Sequence, residues 1–407
     1  MPPVEVAQSE SGMILLTNIR SLFLVSALIA AYFIAAAGPA TAAEEGFATK
    51  APRAILMDAA TGATLFQQRA DEPAPPASMS KLMTLAVLFR AMKEGRIHKT
   101  DEFTMSVNAW RNGGAPSGTS AMMVPVNTKV TVDELIQGIA VQSGNDAAMC
   151  VAEGMAGSIP AFARMMNDEA RRIGLTKSTF ANPSGLPDPH QLMSARDLAT
   201  LARYIINEYP DYYPVFAQKE FRYRNHRFVN RNPLLFLNIG VDGLKTGHTD
   251  ASGYGLVASA VQNGKRLIVV VSGLEKADQR KDEAAKLLDL GFKSYSSVRL
   301  FDANEIIGYA RVWGGTSWYV PLAAKNDVMF TVQTYPANQK ISAEIEYKAP
   351  LKPPVRKGDQ VATLKLSSST SAATKLPLYA TKDVEKGGIF REGIDSLVLM
   401  ALRRLAF

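Results

Sequence analysis

Cysteine and histidine are both scarce in this sequence, and their scarcity excludes two kinds of chemistry. Cys150 is the sole cysteine among 407 residues, so the chain cannot form an internal disulfide, even in an oxidising compartment. The four histidines are far apart, and none belongs to a His-Glu-x-x-His motif or a comparable cluster. We therefore expect no metal site and no cofactor, and we interpret Cys150 as a small core residue.

The apolar run near the N-terminus is too short to span a membrane. It covers residues 21–37, whereas a spanning helix needs ~20 residues. The small residues at 38–43 follow it and suit cleavage by a signal peptidase after Ala42. We predict that residues 1–42 are a signal peptide and that the mature protein is exported. A retained N-terminal anchor is the alternative, and Met13 offers a second candidate start.

Basic residues outnumber acidic ones, but they are not concentrated in one segment. The formal net charge is +7 and the isoelectric point is about 9.3. Because the chain has no arginine-rich tract and no recognisable nucleic-acid module, we expect no nucleic-acid partner. A basic exported protein is better suited to the anionic surfaces of a cell envelope.

The chain is long enough for two domains, and we predict the first at residues 43–298. Apolar spacing predicts both helices and strands within it. The dipeptide Asn263-Gly264 favours a tight hairpin between the last two strands. The predicted strands are 53–57, 63–68, 243–246, 253–260 and 266–271, and the predicted helices are 79–92, 131–140, 146–155, 159–173 and 277–295. We expect an antiparallel sheet with helix 277–295 packed on it.

The pattern changes after residue 298. Residues 299–384 predict a small all-β domain, in which the alternation of Ile341, Ala343 and Ile345 is typical of a half-buried strand. Residues 385–407 predict an amphipathic helix that lies on a membrane surface, because its charges interrupt it too often for a span. The alternative is a helix docked on its own domain. Its apolar positions are Phe390, Ile394, Leu397, Val398, Ala401 and Leu405.

The segment Ser78-Met79-Ser80-Lys81 places a hydroxyl and an amine one helical turn apart. A serine hydroxyl becomes an effective nucleophile once a base removes its proton. Lys81 can be that base if burial and a nearby cation, for which Lys245 is a candidate, lower its pKa from ~10.4 towards ~7 to 8. Taken alone, the pair is also consistent with a solvated lysine beside a helix-capping serine.

A second motif, Ser143-Gly144-Asn145, lies at a turn ahead of a predicted helix. It offers a hydroxyl that can relay a proton and an amide that can bind a substrate carbonyl. Both groups suit acyl transfer. The same triplet is also typical of an ordinary helix cap.

A third motif, Lys245-Thr246-Gly247, lies on a predicted strand. Gly247 lets a peptide approach the backbone, while the side chains of Lys245, Thr246 and Thr249 can hold a terminal carboxylate. These residues therefore indicate a peptide substrate that ends in a carboxylate. Taken alone, the motif is also consistent with an exposed edge strand that a lysine protects from aggregation.

In order and spacing, the three motifs resemble those of low-molecular-mass penicillin-binding proteins, specifically the serine-type D-alanyl-D-alanine carboxypeptidases. The resemblance covers nearly all of the chain after the leader, and further matching segments are 142–147, 182–186, 194–197, 230–232 and 241–250. It implies an α+β fold with a β-lactamase/transpeptidase-like catalytic domain, in which helices flank an antiparallel sheet beside a helical subdomain. A small all-β domain and the C-terminal amphipathic helix would then hold this domain off the membrane.

The resemblance also implies roles for individual residues. Ser78 would form an acyl-enzyme with Lys81 as the base, and Ser143 would pass a proton to the departing D-alanine. Backbone N–H groups of Ser78 and His248 would hold the oxyanion, and each such donor is typically worth ~10² to 10³ in rate. The implied substrate-binding residues are Asn145, Lys245, Thr246, Gly247, Thr249 and Arg231.

The implied substrates are peptidoglycan stem peptides that end in D-Ala-D-Ala, with β-lactam antibiotics as inhibitors, in the periplasm at the outer face of the cytoplasmic membrane. Three alternatives stay open. A D,D-endopeptidase would cut crosslinks with the same residues. A class A β-lactamase would carry Ser-Asp-Asn and a deacylating glutamate, but this sequence has Ser143-Gly144-Asn145 and no later Glu-x-x-Leu-Asn segment. A non-catalytic peptidoglycan-binding protein would not need the intact motifs.

Overall fold

The computed structural model describes residues 4–9, 47–335, 340–368 and 373–389, together with 391, 393 and 395. The helices are α1 (Lys81–Lys93), α2 (Val107–Gly113), α3 (Val132–Gln137), α4 (Asn145–Ala156), α5 (Ile159–Ile173), α6 (Ala195–Glu208) and α7 (Gln279–Ser294). The strands are β1 (Val4–Ser9), β2 (Arg53–Asp58), β3 (Thr64–Gln68), β4 (Glu102–Thr104), β5 (Lys129–Thr131), β6 (Glu220–Tyr223), β7 (His226–Val229), β8 (Val241–Thr249), β9 (Gly253–Gln262), β10 (Lys265–Leu274), β11 (Tyr295–Phe301), β12 (Ile306–Arg311), β13 (Tyr319–Ala323), β14 (Val328–Gln333), β15 (Ile341–Glu346), β16 (Gln360–Ser368) and β17 (Thr374–Ala380).

The first part of the fold is built on a five-stranded antiparallel sheet in the order β3-β2-β10-β9-β8. Strand β10 carries large apolar residues at every central position, because both of its faces are covered. Val269 and Val271 pack with α7 on one face. Ile268 and Val270 face the opposite core, which contains α1 and α6. The predicted α+β architecture is confirmed, and β8 lies at a free edge of the sheet.

Local sequence signals explain several element boundaries. Helix α5 begins after Ser158, whose hydroxyl accepts a hydrogen bond from the Ala161 N–H, and it ends at Gly174 with φ +86°. Its bounds are those predicted from the sequence. The hairpin between β9 and β10 turns at Asn263-Gly264, where both residues have positive φ values. That geometry matches the tight turn that the dipeptide predicts.

The second part of the fold is all β. Its larger sheet has the order β1-β15-β16-β17-β13-β12, and β11 pairs with β14. Ile341, Ala343 and Ile345 are buried and alternate with less buried residues, so the predicted alternation is confirmed. Strand β1 pairs in parallel with β15 and comes from the segment predicted as a signal peptide. The rest of that segment lies outside the described residues.

The predicted amphipathic helix at 385–407 lies mostly outside the described residues. Ile389 and Asp395 are both helical, and they differ sharply in exposure. Ile389 is 87 % exposed, whereas Asp395 is buried and accepts a hydrogen bond from the Gly314 N–H at 2.7 Å. The start of the helix therefore docks on the β domain. None of the helices in the described ranges is long and apolar enough to cross a bilayer.

A buried carboxylate joins the two parts. Asp58, at the end of β2, accepts hydrogen bonds at Oδ1 from the N–H groups of Ala60 and Thr61, both at 3.0 Å. Its Oδ2 accepts from the hydroxyl of Ser297 on β11 at 2.8 Å. Beside it, the hydroxyls of Thr61 and Thr331 are 2.9 Å apart. Asp58 therefore fixes a turn of the first part against the first strand of the second.

We expect Asp58→Ala to lower the free energy of unfolding by about 1–3 kcal/mol, because two backbone N–H groups and a hydroxyl lose the buried carboxylate that accepts their hydrogen bonds. The measurement is urea unfolding of the full chain. The control is Asp211→Ala, an exposed carboxylate at which substitution changes stability by about 0.5 kcal/mol or less. Equal unfolding midpoints for the two variants would contradict the structural role of Asp58.

Candidate active site

Ser78 lies in a short 3-10 turn, Ala77–Ser80, that leads directly into α1. Ala77 has a positive φ of +50°, which is unusual for a residue with a side chain and indicates local backbone strain beside the serine. The turn presents Ser78 to a cleft of about 1000 Å³. Asn145 and Ser184 also line this cleft.

Lys81, the first residue of α1, is fully buried beneath Ser78. Its Nζ donates to Ser78 Oγ at 2.9 Å, to Asn145 Oδ1 at 2.6 Å and to the Ser184 carbonyl at 2.5 Å. Burial, aided by the positive charge of Arg231, lowers the pKa of Lys81 to about 7. A neutral Lys81 can keep two donated bonds, to Asn145 and Ser184, and turn its lone pair to the Ser78 hydroxyl. The geometry therefore suits proton abstraction from Ser78.

A π-helical segment, Gly138–Gln142, separates α3 from α4 and carries Ser143 at its end. Ser143 adopts the left-handed conformation with φ +66° and is 2 % exposed, and its side chain has no hydrogen-bond partner within the described ranges. Asn145 is fixed on both sides, since its Nδ2 donates to Thr119 Oγ1 at 2.9 Å while its Oδ1 accepts from Lys81. The Ser143 hydroxyl is thus not committed to another side chain in the described part of the protein, whereas the Asn145 amide is held in place.

Asp146 supports this wall of the cleft from behind. Its carboxylate accepts from the backbone N–H groups of Met122 at 2.8 Å and Val124 at 3.3 Å. Burial raises the pKa of Asp146, and the backbone donors oppose that shift. No sequence motif predicts a role for Asp146. The structure shows that it ties the start of α4 to the 119–124 segment that lines the cleft.

Strand β8 carries the third motif along the cleft edge. Lys245 is buried, and its Nζ donates to the Thr246 carbonyl at 3.2 Å. Burial, together with the positive charges of Lys81, Arg231 and Arg280, holds the pKa of Lys245 well below its usual range. Over the described residues, none of these four basic side chains forms a salt bridge. The site therefore concentrates positive charge that a substrate carboxylate would neutralise.

Arg280 is a site residue that sequence reasoning missed. It is the second residue of α7, its guanidinium lies 5.5 Å from the Tyr254 ring centroid, and its Nε is buried without a hydrogen-bond partner in the described part of the protein. Burial lowers its pKa. No local motif surrounds Arg280 in the sequence. Its relation to Lys245 arises only because α7 packs against the sheet.

The end of β8 packs closely against the nucleophile turn. A Cβ on Gly247 would lie 2.8 Å from the Pro76 carbonyl oxygen, so a larger residue would displace the strand. The His248 ring stacks on Tyr254, with ring centroids 3.9 Å apart, and His248 lines the cleft. Thr249 also lines the cleft, but its hydroxyl donates to Ser252 Oγ at 2.9 Å.

The structure thus brings Ser78, Lys81, Asn145 and Lys245 together from three distant segments, with Arg231 lining the cleft and Ser143 buried two residues before Asn145. The residues that the sequence analysis did not assign are Asp146, Ser184 and Arg280. Cys150 lies on α4 and is buried in the core, and burial raises the pKa of its thiol to about 12. Within the described ranges, no group of three or more His, Cys, Asp or Glu residues is placed to hold a metal ion.

A serine paired with a buried lysine on an α+β scaffold defines a lysine-activated serine hydrolase. Residues 39–276 match the D-alanyl-D-alanine carboxypeptidase family, and residues 295–386 match the family described as penicillin-binding protein 5, C-terminal domain. The chain is 37 % identical over 350 residues to the D-alanyl-D-alanine carboxypeptidase DacC of Escherichia coli (strain K12), covering 85 % of this chain and 87 % of that protein.

Two solved structures extend the comparison. The fold resembles penicillin-binding protein 5 from Haemophilus influenzae, with a TM-score of 0.76 and 35 % identity over 84 % of this chain and all of the other. It also resembles penicillin-binding protein D2 from Listeria monocytogenes in its ampicillin-bound form, with a TM-score of 0.54 and 26 % identity over 61 % of this chain and all of the other. The chain therefore belongs to the D-alanyl-D-alanine carboxypeptidase family. It is a serine-type D-Ala-D-Ala carboxypeptidase, a hydrolase.

The pH dependence of kcat/KM tests the assignment of Lys81 as base. Only neutral Lys81 can accept a proton, so kcat/KM rises with pH through its pKa of about 7 and levels off above it. Arg231→Gln removes a positive charge that lowers this pKa, so the acid limb moves to higher pH. The control is Arg222→Gln. Arg222 lies on β6 and pairs with Glu220, so we expect this variant to leave the midpoint of the acid limb unchanged. If the acid limb of kcat/KM did not shift in Arg231→Gln, Arg231 would not be lowering the pKa of Lys81.

The loop that holds Ser184 over Lys81 allows a second test. A Cβ on Gly185 would lie 1.9 Å from the Ala77 carbonyl oxygen, and its φ is +76°. We expect Gly185→Ala to push Ser184 away from Lys81 and to lower the rate of Ser78 acylation by at least about tenfold. Gly174→Ala is the matched control, because Gly174 has a similar φ of +86° with no atom within 4 Å of the added carbon. Equal acylation rates in the two variants would contradict the expectation.

Proposed function

We propose that the carboxypeptidase reaction proceeds through an acyl-enzyme on Ser78. Neutral Lys81 removes the hydroxyl proton, and Ser78 Oγ attacks the carbonyl of the penultimate D-alanine. The backbone N–H groups of Ser78 and His248 hold the oxyanion. The Ser143 hydroxyl passes a proton to the departing D-alanine, and water then hydrolyses the ester. The observation that carries this proposal is the hydrogen bond between Ser78 and a fully buried Lys81 with a pKa of about 7.

The second part of the proposal concerns the substrate, a peptidoglycan stem peptide that ends in D-Ala-D-Ala. Its terminal carboxylate would lie among Lys245, Arg231 and Arg280, which have no salt-bridge partner within the described residues. Thr246, Gly247 and Thr249 would complete this site, and the free edge of β8 would pair with the peptide backbone. The Asn145 amide would orient the substrate on the opposite wall.

We further infer that β-lactam antibiotics acylate Ser78 and inhibit the enzyme. A β-lactam resembles the peptide in having a carbonyl to attack and a nearby carboxylate, and the related protein from Listeria monocytogenes has been solved with ampicillin bound. Lys81 is held by a hydroxyl, an amide and a backbone carbonyl, so the first contacts of its Nζ include no carboxylate. This arrangement supports slow deacylation rather than β-lactamase turnover.

The domain assignments are part of the same proposal. Residues 1–42 would be a signal peptide, 43–298 the catalytic domain, 299–384 a β-rich stalk, and 385–407 a helix that attaches the protein to the outer face of the cytoplasmic membrane from the periplasm. The basic net charge of +7 supports attachment to an anionic surface. The burial of Asp395 supports a firm connection between the stalk and the start of the helix.

The decisive measurement is the release of D-alanine from a soluble peptide that ends in D-Ala-D-Ala. We expect release that penicillin blocks, and a loss of at least about 10³-fold in Ser78→Ala, because no other group can form the acyl-enzyme. Ser158→Ala, at the exposed cap of α5, is the control and keeps full activity. Release that persists in Ser78→Ala would mean that another residue is the nucleophile.

The same proteins separate the remaining alternatives. Faster cleavage of a crosslinked peptide dimer than of the D-Ala-D-Ala peptide would favour a D,D-endopeptidase. Rapid turnover of penicillin, rather than a long-lived penicilloyl-enzyme, would favour a β-lactamase. A folded protein that binds the peptide without cleaving either substrate would be a non-catalytic peptidoglycan-binding protein.

A further inference from the structure

A side pocket of about 330 Å³ adjoins the catalytic cleft, and the reaction described above does not use it. Its lining includes Pro76, Ala77, Leu186, Pro187, Asp188 and Gln191. The side pocket shares the 185–187 loop and Thr249 with the main cleft, so the two cavities are adjacent and open onto each other's lining. Ala77 immediately precedes Ser78, which places the side pocket within one residue of the nucleophile.

The lining of the side pocket is largely apolar, but it contains two polar groups of different kinds. Gln191 is 2 % exposed, and its Oε1 accepts from the N–H groups of Ala181 at 2.7 Å and Asn182 at 3.1 Å. These two donors fix the orientation of the amide, so Nε2 is the end that is left buried without a partner among the described residues. A buried donor without an acceptor is costly, and a ligand carbonyl would satisfy it.

The charged group in the lining is Asp188. Its Oδ1 accepts from the His190 N–H at 2.8 Å, which fixes the carboxylate in a tight turn. Its other carboxylate oxygen has no hydrogen-bond partner, and Asp188 forms no salt bridge, over the ranges that the structure describes. Asp188 is only partly exposed. The side pocket therefore combines apolar walls with an unpaired negative charge, a design that fits an aliphatic chain with a cationic end.

The position of the side pocket indicates which part of a substrate would reach it. Arg231 lines the main cleft but not the side pocket, so the side pocket lies apart from the cations that would hold the terminal carboxylate. The acyl-donor side of the peptide would therefore extend towards it. In a stem peptide, a diamino acid directly precedes D-Ala-D-Ala. Consecutive Cα atoms are about 3.8 Å apart, so that side chain begins one residue from the attacked carbonyl.

We propose that the side pocket binds the diamino-acid side chain of the stem peptide, with the methylenes against Leu186 and the prolines and the terminal amino group paired with Asp188. Gln191 Nε2 would donate to a backbone carbonyl of the same residue. This proposal rests on the stem-peptide substrate proposed above. It makes Asp188 a specificity-determining residue, because an acylated amine is uncharged and cannot form an ion pair with Asp188.

The test compares two peptides that end in D-Ala-D-Ala and differ at one group, a preceding lysine with a free or an acetylated ε-amine. We expect the wild type to prefer the free amine by about two- to fivefold in kcat/KM, the range of a partly exposed ion pair. Asp188→Asn keeps the Oδ1 acceptor for His190 and should abolish this preference. The same comparison is then made with meso-diaminopimelate in place of lysine, again with a free or an acetylated side-chain amine. It shows for which diamino acid the enzyme prefers the free amine more strongly in kcat/KM.

Two control variants locate the effect. Asp250→Asn changes an acidic residue of the main cleft, and Asp211→Asn changes an exposed carboxylate outside both cavities; both should keep the preference. Loss of the preference in Asp250→Asn instead of Asp188→Asn would overturn the proposal. So would equal kcat/KM for the free and acetylated peptides in the wild type, although cleavage of both would leave the carboxypeptidase function intact. Failure to cleave either peptide would overturn the function itself.

Discussion

The site depends on keeping the Lys81 amino group away from water. In solvent a lysine is protonated at neutral pH and cannot act as a base. Here burial lowers its pKa to about 7, and three acceptors hold the nitrogen beside Ser78. A desolvated amine is tolerable only because each of its hydrogen bonds is made, including those to the Asn145 amide oxygen and the Ser184 carbonyl. The α1 turn, the α4 start and the 182–185 loop must therefore all be in place at once.

A second constraint is the repulsion among cations. Lys245, Arg231 and Arg280 come from a strand, a loop and a helix, and burial together with the charges of the two arginines lowers the pKa of Lys245. The rigid five-stranded sheet and α7 hold them at positions that solvated side chains would avoid. Such a preorganised field favours an anionic substrate end, and the charge of Arg231 also helps to keep Lys81 neutral. Arg231 thus contributes to the proposed carboxylate site and to the activation of the base.

Much of the fold follows from local patterns in the sequence. The bounds of α5 are encoded by Ser158 and Gly174, the β9–β10 hairpin by Asn263-Gly264, and strand β15 by alternating apolar residues. Each of these signals acts within a few residues, so it can be read without the tertiary structure. Strand β1 was not predicted, and docking of the C-terminal segment on its own domain was only the alternative interpretation, because each depends on contacts between residues far apart in the chain.

For the site, the sequence by itself determined the chemical groups: Ser78 and Lys81 one turn apart, the Ser143 hydroxyl, and Lys245 on a strand. Tertiary structure alone decided their state. The proton affinity of Lys81 depends on burial and on Arg231, which is 150 residues away in the chain. Arg280 and the Ser184 carbonyl enter the site only through packing. Residue spacing determines which side chains lie close together within one helix or strand. Desolvation and electrostatic fields depend on residues that only the tertiary structure brings together.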